Sequence, residues 1–329
     1  MTKRISVAVL IPCYNEEATI AKVVHEFKCC LPNSSIYVYD NNSTDRTAHE
    51  ALRAGADVRS EMQQGKGHVV RRMFRDIDAD FYVMVDGDDT YEINLTPDML
   101  KLAMSGPFDL VNCIRCETEE TAFRGGHRLG NWLLTSVVRG IFGKRVLDML
   151  SGYKVFSRRF VKSFPALSTG FDIETELTVH ALELSMPVEH IQGSYRGRPK
   201  GSESKLSTYY DGWRILMTIL KLVRHERPMV FFGMLSGLTT VLALILIEPV
   251  IITYLNTGLV PRLPTAVLSM GMILLAFLSL TTGTILDTVT RGRQELRLLT
   301  YLQYSAPPYE QTDRPYDNAT PSPDFTIQD

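Results

Sequence analysis

The sequence predicts an α/β protein: a doubly wound, mostly parallel sheet, followed by interfacial helices and a two-helix transmembrane hairpin. Three observations carry that expectation. Short apolar runs at residues 5–13, 36–39 and 81–85 each end abruptly in polar turns that read NEE, DNNSTDRT and DGDD, the pattern of buried parallel strands that open toward a ligand at their carboxyl ends. Segments with apolar residues at helical spacing separate these runs, as in a sheet covered by helices on both faces. Two long uncharged apolar runs follow, at 228–247 and 263–286.

In chain order, the first strand at 5–11 leads to a helix in which Ile20, Val23, Val24 and Phe27 share one face, with Asn15 as its expected N-cap. A strand at 36–39, a short helix over 46–52 and a strand at 56–59 come next. After Gly65-Lys66-Gly67 a helix turns Val69, Val70, Met73 and Phe74 inward, the strand at 81–85 delivers Asp86, Asp88 and Asp89, and 109–114 reads as a further strand. Residues 128–145 and 207–224 read as amphipathic interfacial helices. Leu129, Trp132, Leu133 and Val137 share a face in one, Trp213, Leu216, Met217 and Leu220 in the other, each with basic residues for anionic headgroups.

At ~1.5 Å per residue the run at 228–247 covers ~30 Å, the thickness of a bilayer's hydrocarbon core. The spans are expected at 228–253 and 263–286. Arg224 and Arg227 precede the hairpin and Arg291, Arg293 and Arg297 follow it, whereas the connecting loop holds only Arg262. The positive-inside rule then gives a multi-pass protein of the inner (plasma) membrane with its enzyme domain and both termini cytosolic. Gly233-x-x-x-Gly237 is a spacing that can bring membrane helices together. The expected units are a cytosolic enzyme domain over 1–206, an interfacial helix over 207–227, the hairpin over 228–287 and a tail over 288–329, disordered after about 307.

A net charge of -2 with no basic stripe excludes a nucleic-acid partner. The five cysteines are odd in number and all precede the hairpin, which suits a reducing cytosol. Cys113-x-x-Cys116 has metal-like spacing without a second ligand pair, so strand-end packing is the expectation. Lys3-Arg4 and the apolar run behind them imitate a signal peptide but lack a small-residue cleavage site, and read as the first strand.

Carboxylates clustered at a strand's carboxyl end form a seat for a hard divalent cation that holds phosphates. Asp45 reads equally well as a turn or helix-start residue. The segments IPCYNEE, DNNSTDRT, QGKG and DGDD, in this order, resemble the family 2 glycosyltransferases. DMLSGYKVFSRR, GFDIETEL and RGRPKGSESKL extend the similarity to the branch that resembles dolichyl-phosphate mannose synthase and bacterial polyprenyl-phosphate glycosyltransferases. The similarity covers about residues 5–206.

The resemblance implies a GT-A-like nucleotide-sugar domain, a divalent cation (Mg or Mn) and inverting transfer of a sugar from a nucleotide diphosphate to a polyprenyl phosphate. It places Pro12, Tyr14, Glu16, Asp40, Lys66, Asp86 and Asp88 at the donor, with Asp86 and Asp88 on the metal. Arg198 and Lys205 would clamp the donor diphosphate from a Gly/Ser-rich loop. For the acceptor phosphate the candidates are Arg128, Asn131 and Arg139, with Ser151, Gly152 and Tyr153 shaping the loop beside it. Asp88, Arg128, Arg139, Arg198 and Lys205 are thus the expected catalytic set.

The chain departs from that pattern at Thr90, where a Gln usually stands, at Tyr153-Lys154, where an Arg's bidentate fork is lost, and in one extra residue between Gly201 and Ser204. Two alternatives stay open. A hydroxyl acceptor on a lipid-linked or polymeric glycan would need Glu174 or Glu176 as base, and a membrane scaffold for sugar-lipid translocation would only bind nucleotide sugar. A homo-oligomer is compatible with either.

Overall fold

Seven strands form one sheet in the computed structural model, which describes residues 5–117, 136, 140, 148–166, 173–196, 217, 220, 221 and 223–308. They are β1 (Val7–Cys13), β2 (Ser35–Asp40), β3 (Asp57–Ser60), β4 (Phe81–Met84), β5 (Leu110–Glu117), β6 (Lys154–Ser157) and β7 (Val188–Tyr195), in the order β3-β2-β1-β4-β6-β5-β7. Only β6 runs against the others, antiparallel to β4 and β5. The doubly wound, mostly parallel sheet expected from the sequence is present.

Alternate residues of β1 account for its unbroken apolar run. Val9 and Ile11 pack with Ile20, Val23, Val24 and Phe27 of helix α1 (Ile20–Cys30) on one face. Ala8 and Leu10 pack on the other with Val69, Val70 and Met73 of α3 (Lys66–Asp76). Between them in sequence is α2 (Thr47–Arg53). The helices α4 (Thr96–Met104), α5 (Arg158–Ser163) and α6 (Ile173–Glu183) complete the two layers. Strand order reverses between β1 and β4, because β2 lies on one side of β1 and β4 on the other. That switch opens a crevice at the carboxyl ends of β1 and β4.

Two apolar helices pack against each other as a hairpin, α7 (Pro228–Thr257) and α8 (Leu263–Leu302). Gly258, at φ 68, ends α7 in the left-handed conformation and bonds back to the Tyr254 carbonyl at 2.8 Å. The seam is built from small residues seven apart: Ser236, Ala243 and Val250 are buried on α7, and Ser269, Ala276, Gly283 and Thr290 on α8. This heptad spacing keeps one face of each helix on its partner and lets the backbones approach. A Cβ on Gly283 would lie 2.9 Å from Phe232 Cβ. Gly233 and Gly237 face open space instead, so the seam does not use the small-residue spacing that could have brought the helices together. The outward side chains, among them Met234, Leu238, Ile245, Leu274 and Phe277, are exposed.

Two boundaries differ from expectation. Helix α1 starts at Ile20 after Thr19, not at Asn15, whose backbone is left-handed (φ 55) and whose side chain serves another loop. Helix α8 does not stop near Leu286 but runs to Leu302 and docks on the sheet domain. Arg297 Nη1 pairs with Glu183 Oε2 at 2.5 Å. Tyr301 Oη donates to Asp109 Oδ2 at 2.8 Å, and Arg159 holds the same carboxylate at 2.6 Å while lying 4.6 Å over the Tyr301 ring. These contacts hold the last turns of the helix, where Arg297 and Tyr301 stand among exposed leucines, on the sheet domain. Most of the candidate interfacial segments, 128–145 and 207–224, lies outside the described residues.

Candidate active site

The three polar turns meet at the crevice because the registers of their strands bring the ends level: Cys13 is opposite Asp40, and Leu10 opposite Met84. Two of the turns are zipped together by reciprocal bonds. Asn15 N donates to Ser43 Oγ at 2.9 Å and Thr44 N to Asn15 Oδ1 at 2.8 Å. Glu17 N donates to Asp45 Oδ2 at 3.1 Å, and Arg46 N to Glu17 Oε2 at 2.8 Å. Asn15, Asn42 and Asp89 each occupy the left-handed region, one per turn, where short polar side chains are tolerated. Asp45 therefore orders the turn, also accepting from Thr47 N at 2.9 Å.

Asn41, which sequence reasoning passed over, performs a similar task at the next loop. Its Nδ2 donates to the Glu61 and Gln63 carbonyls at 3.0 and 2.7 Å, and its Oδ1 accepts from Gly65 N at 2.7 Å. This clip brings the start of α3, and so Lys66, to the crevice. Only the position of Asn41 directly after a strand, next to Asp40, hinted at it in the sequence.

Lys66 is the centre of the described site. Its ammonium, almost enclosed, bonds Asp86 Oδ1 and also Glu174 Oε1, the latter at 2.5 Å. Burial alone would lower its pKa, but Asp86 and Glu174 outweigh that and raise it above the ordinary lysine value, so Lys66 is cationic. Asp88 is 3% exposed, and Thr90 donates to its Oδ1 from its hydroxyl at 2.6 Å and from its backbone at 3.3 Å. Thr90 thus steers Asp88. Asp89 pairs with Lys22 Nζ at 2.5 Å on the rim. Thr19 Oγ1 donates to the Gly87 carbonyl at 2.6 Å, tying the turn to α1.

Among the remaining donor candidates, Pro12 is buried in β1, and Tyr14 and Glu16 are half-buried in the following turn. Glu16 N donates to Thr47 Oγ1 at 2.8 Å. Asp40 is 7% exposed, and its Oδ2 accepts from Ser43 N at 3.2 Å while its Oδ1 is buried with no partner among the described residues. A buried carboxylate oxygen left so is costly unless something else meets it. Burial pushes the Cys13 thiol well up, and Glu16, Asp40, Asp86 and Asp88 add to the rise, which shows how much negative charge surrounds that strand end.

Of the acceptor candidates, Ser151 is buried and its Oγ accepts from Tyr153 N at 3.3 Å. Gly152 N donates to Tyr91 Oη at 2.8 Å, and a Cβ on Gly152 would lie 2.4 Å from Asp86 Oδ2. Gly152 is therefore a neighbour of the carboxylate site. Tyr153 is fully buried, its hydroxyl bonded to Thr96. Lys154 is enclosed on Asn112 Oδ1 at 2.5 Å, and burial draws its pKa down to about 8. Asp148 accepts from Arg115 Nε and Nη2 at 2.8 and 2.9 Å, a fork that closes the base of the segment ahead of β6. Cys113 is buried and Cys116 exposed, as residues three apart on a strand must be, so the two cannot chelate together. Arg128, Asn131, Arg139, Arg198 and Lys205 lie outside the described residues.

No group of three or more His, Cys, Asp or Glu arranged for a metal occurs among the described residues. Asp86 and Asp88 nevertheless fit a Mg- or Mn-type ion. Such ions prefer oxygen ligands and are often held by one or two carboxylates plus substrate phosphates. The unpartnered oxygen of Asp40 agrees with a crevice built to meet something further.

A family model described as glycosyl transferase family 2 matches residues 8–164. Glycosyltransferase AglJ of Haloferax volcanii is 31% identical over 236 residues, 71% of this chain and 78% of that protein. A dolichyl-phosphate hexose transferase of the same organism is 27% identical over 221 residues, 67% of this chain and 95% of that one. Among solved structures, glucosyl-3-phosphoglycerate synthase from Mycobacterium tuberculosis, in complex with Mn2+, uridine diphosphate and phosphoglyceric acid, superposes with TM-score 0.56 at 22% identity, covering 67% of this chain and 78% of that one. At that identity the likeness concerns the fold.

Proposed function

Because the chain belongs to glycosyl transferase family 2, we propose that it is a membrane-anchored, inverting glycosyltransferase that moves a sugar from a nucleotide diphosphate to a polyprenyl phosphate on the cytosolic leaflet. The observation that carries the acceptor reading is the hairpin. Two helices with uncovered apolar outer faces are joined to the sheet domain through the docked end of α8, which Glu183 and Asp109 hold. A sheet domain fixed beside a bilayer meets a lipid-borne phosphate without leaving the surface. The similarity to a dolichyl-phosphate hexose transferase supports the same acceptor class.

Asp86 and Asp88 would hold the divalent cation, which supplies Lewis-acid neutralisation of the charge growing on the leaving diphosphate. Pro12, Tyr14, Glu16 and Asp40 flank the nucleotide, with Asp40 Oδ1 offering a buried acceptor for a donor group. Thr90 and Lys66 hold Asp88 and Asp86 in place. Arg198 and Lys205 are assigned to the donor diphosphate, and Arg128, Asn131 and Arg139 to the acceptor phosphate, beside the loop of Ser151, Gly152 and Tyr153.

A phosphomonoester with a second pKa near ~6 is already largely dianionic at neutral pH, so no base is required for its attack. The commitment of Glu174 Oε1 to the Lys66 ammonium supports this over a hydroxyl acceptor, for which Glu174 would have to take a proton. The residues flanking the hairpin support a cytosolic sheet domain.

The test is transfer by the purified full chain, supplied with Mg2+ or Mn2+, undecaprenyl phosphate and a panel of nucleotide sugars. A glycolipid bearing a phosphodiester-linked sugar is expected from one of them. Product only with hydroxyl acceptors would overturn the reading.

A further inference from the structure

Lys66 and Glu174 lie against the crevice without belonging to the ligand set, and their arrangement goes beyond simple support. An ammonium paired to Asp86 alone would cancel the charge that the carboxylate offers to a cation. Here the ammonium is shared with a second carboxylate, Glu174, whose side chain is 8% exposed, while that of Lys66 is 10% exposed. Both carboxylates contact the same nitrogen. The group of three therefore keeps one net negative charge. Asp88 adds a second, so these four side chains together carry the charge that balances a divalent cation.

Geometry points the same way. Asp86 Oδ1 is held by Lys66, and Oδ2 rests over Gly152, where even a methyl group would lie 2.4 Å away. The carboxylate has one orientation, fixed from α3 on one side and from the Gly152 loop on the other. Glu174 enters from α6, on a helix that packs against α3 through the shared core of Val70, Met73 and Leu177.

We infer that Lys66 and Glu174 are positioning residues which act as a pair: Lys66 sets the orientation of Asp86, and Glu174 restores the negative charge that Lys66 would otherwise remove from the divalent-cation seat. This rests on the metal-assisted reading above. It assigns Glu174 a counter-ion role in place of the base that a hydroxyl acceptor would need.

The experiment is a titration of the full chain in detergent with Mn2+, first alone and then with uridine diphosphate, reading the free-ion signal by electron paramagnetic resonance. Glu174→Gln keeps the shape and an acceptor for Lys66 but drops one negative charge, and should weaken Mn2+ binding by about tenfold or more. Lys66→Met removes the positive charge and should tighten it by a similar factor, although transfer falls because Asp86 is no longer held. The double variant Lys66→Met/Glu174→Gln restores the native charge and should bind Mn2+ within about threefold of the native chain, because the two opposed single effects cancel.

A purely structural role would weaken binding in both single variants, with the double variant worst, and that pattern overturns the inference. So does an unchanged affinity in Glu174→Gln, which carries the test by itself if Lys66→Met does not fold. Failure of the native chain to take up Mn2+ in either condition would instead remove the metal-assisted reading itself, and the inference with it.

Discussion

Replacing Gly152 by alanine isolates the carboxylate crevice from the rest of the molecule. The new Cβ would sit 2.4 Å from Asp86 Oδ2 and 2.9 Å from its Cγ, where ordinary contact begins near 3.4 Å. The backbone of Gly152 is not in the left-handed region, and its N–H bond to Tyr91 at 2.8 Å survives the change. The chain therefore has no reason to unfold, and the clash is relieved by moving Asp86 about 1 Å. That movement strains the charge-assisted bond from Lys66, a contact of about 1.5–3 kcal/mol, and a misplacement of that size at a reacting centre costs about a hundredfold. With saturating donor and acceptor, kcat should fall by roughly 30- to 100-fold, the acceptor KM should stay within about twofold, and the melting temperature should move by a few degrees at most. Transfer and melting measured on one detergent preparation provide the check. Full turnover would refute the geometry, and a defect confined to acceptor KM would return Gly152 to the acceptor site.

Three further outcomes are expected. Asp88→Ala, or a chelator added to the native chain, should abolish transfer, and full turnover in chelator would remove the divalent cation from the reaction. In a chain whose native cysteines have been replaced, a cysteine at Asn256 should react with an impermeant thiol reagent from outside the cell and one at Ser322 should not; the reverse would invert the topology. Burial and the neighbouring Glu226, only partly opposed by Arg297, raise Glu183 to about 8 at the seam between α6 and the hairpin, above an unfolded value near ~4.3. Its stabilising contribution is complete below the unfolded pKa and is lost as pH rises toward about 8, because the native state binds the extra proton. The melting temperature should therefore drop across that window, and Glu183→Gln should flatten the profile; an equal slope in both proteins would place the titration elsewhere.

Periodicity and turn chemistry are local properties, and they made much of the fold readable. The alternating burial of β1, the inward faces of α1 and α3 and the three polar turns follow from residues close in sequence, as does the apolar character of α7 and α8. Asp86 and Asp88 were legible because carboxylates gathered at the end of an apolar strand are costly to desolvate unless a cation or a donor meets them. What the sequence could not decide depends on contacts between distant residues. Asn15 looked like a helix cap, but Thr44, 29 positions away, takes its side chain. The Gly233/Gly237 pair looked like a helix seam, but the faces that meet are set by the heptad of Ser269, Ala276, Gly283 and Thr290 against its partner. The extension of α8 to Leu302 depends on Glu183 and Asp109, which lie 114 and 192 residues from Arg297 and Tyr301. Lys66 and Glu174 meet Asp86 only when α3, α6 and β4 are packed around one crevice. Sequence determined which elements form and which chemistry they carry; the tertiary structure decided which charges share a partner, because a buried ion pair is fixed by distance and dielectric, and neither is encoded within a single segment.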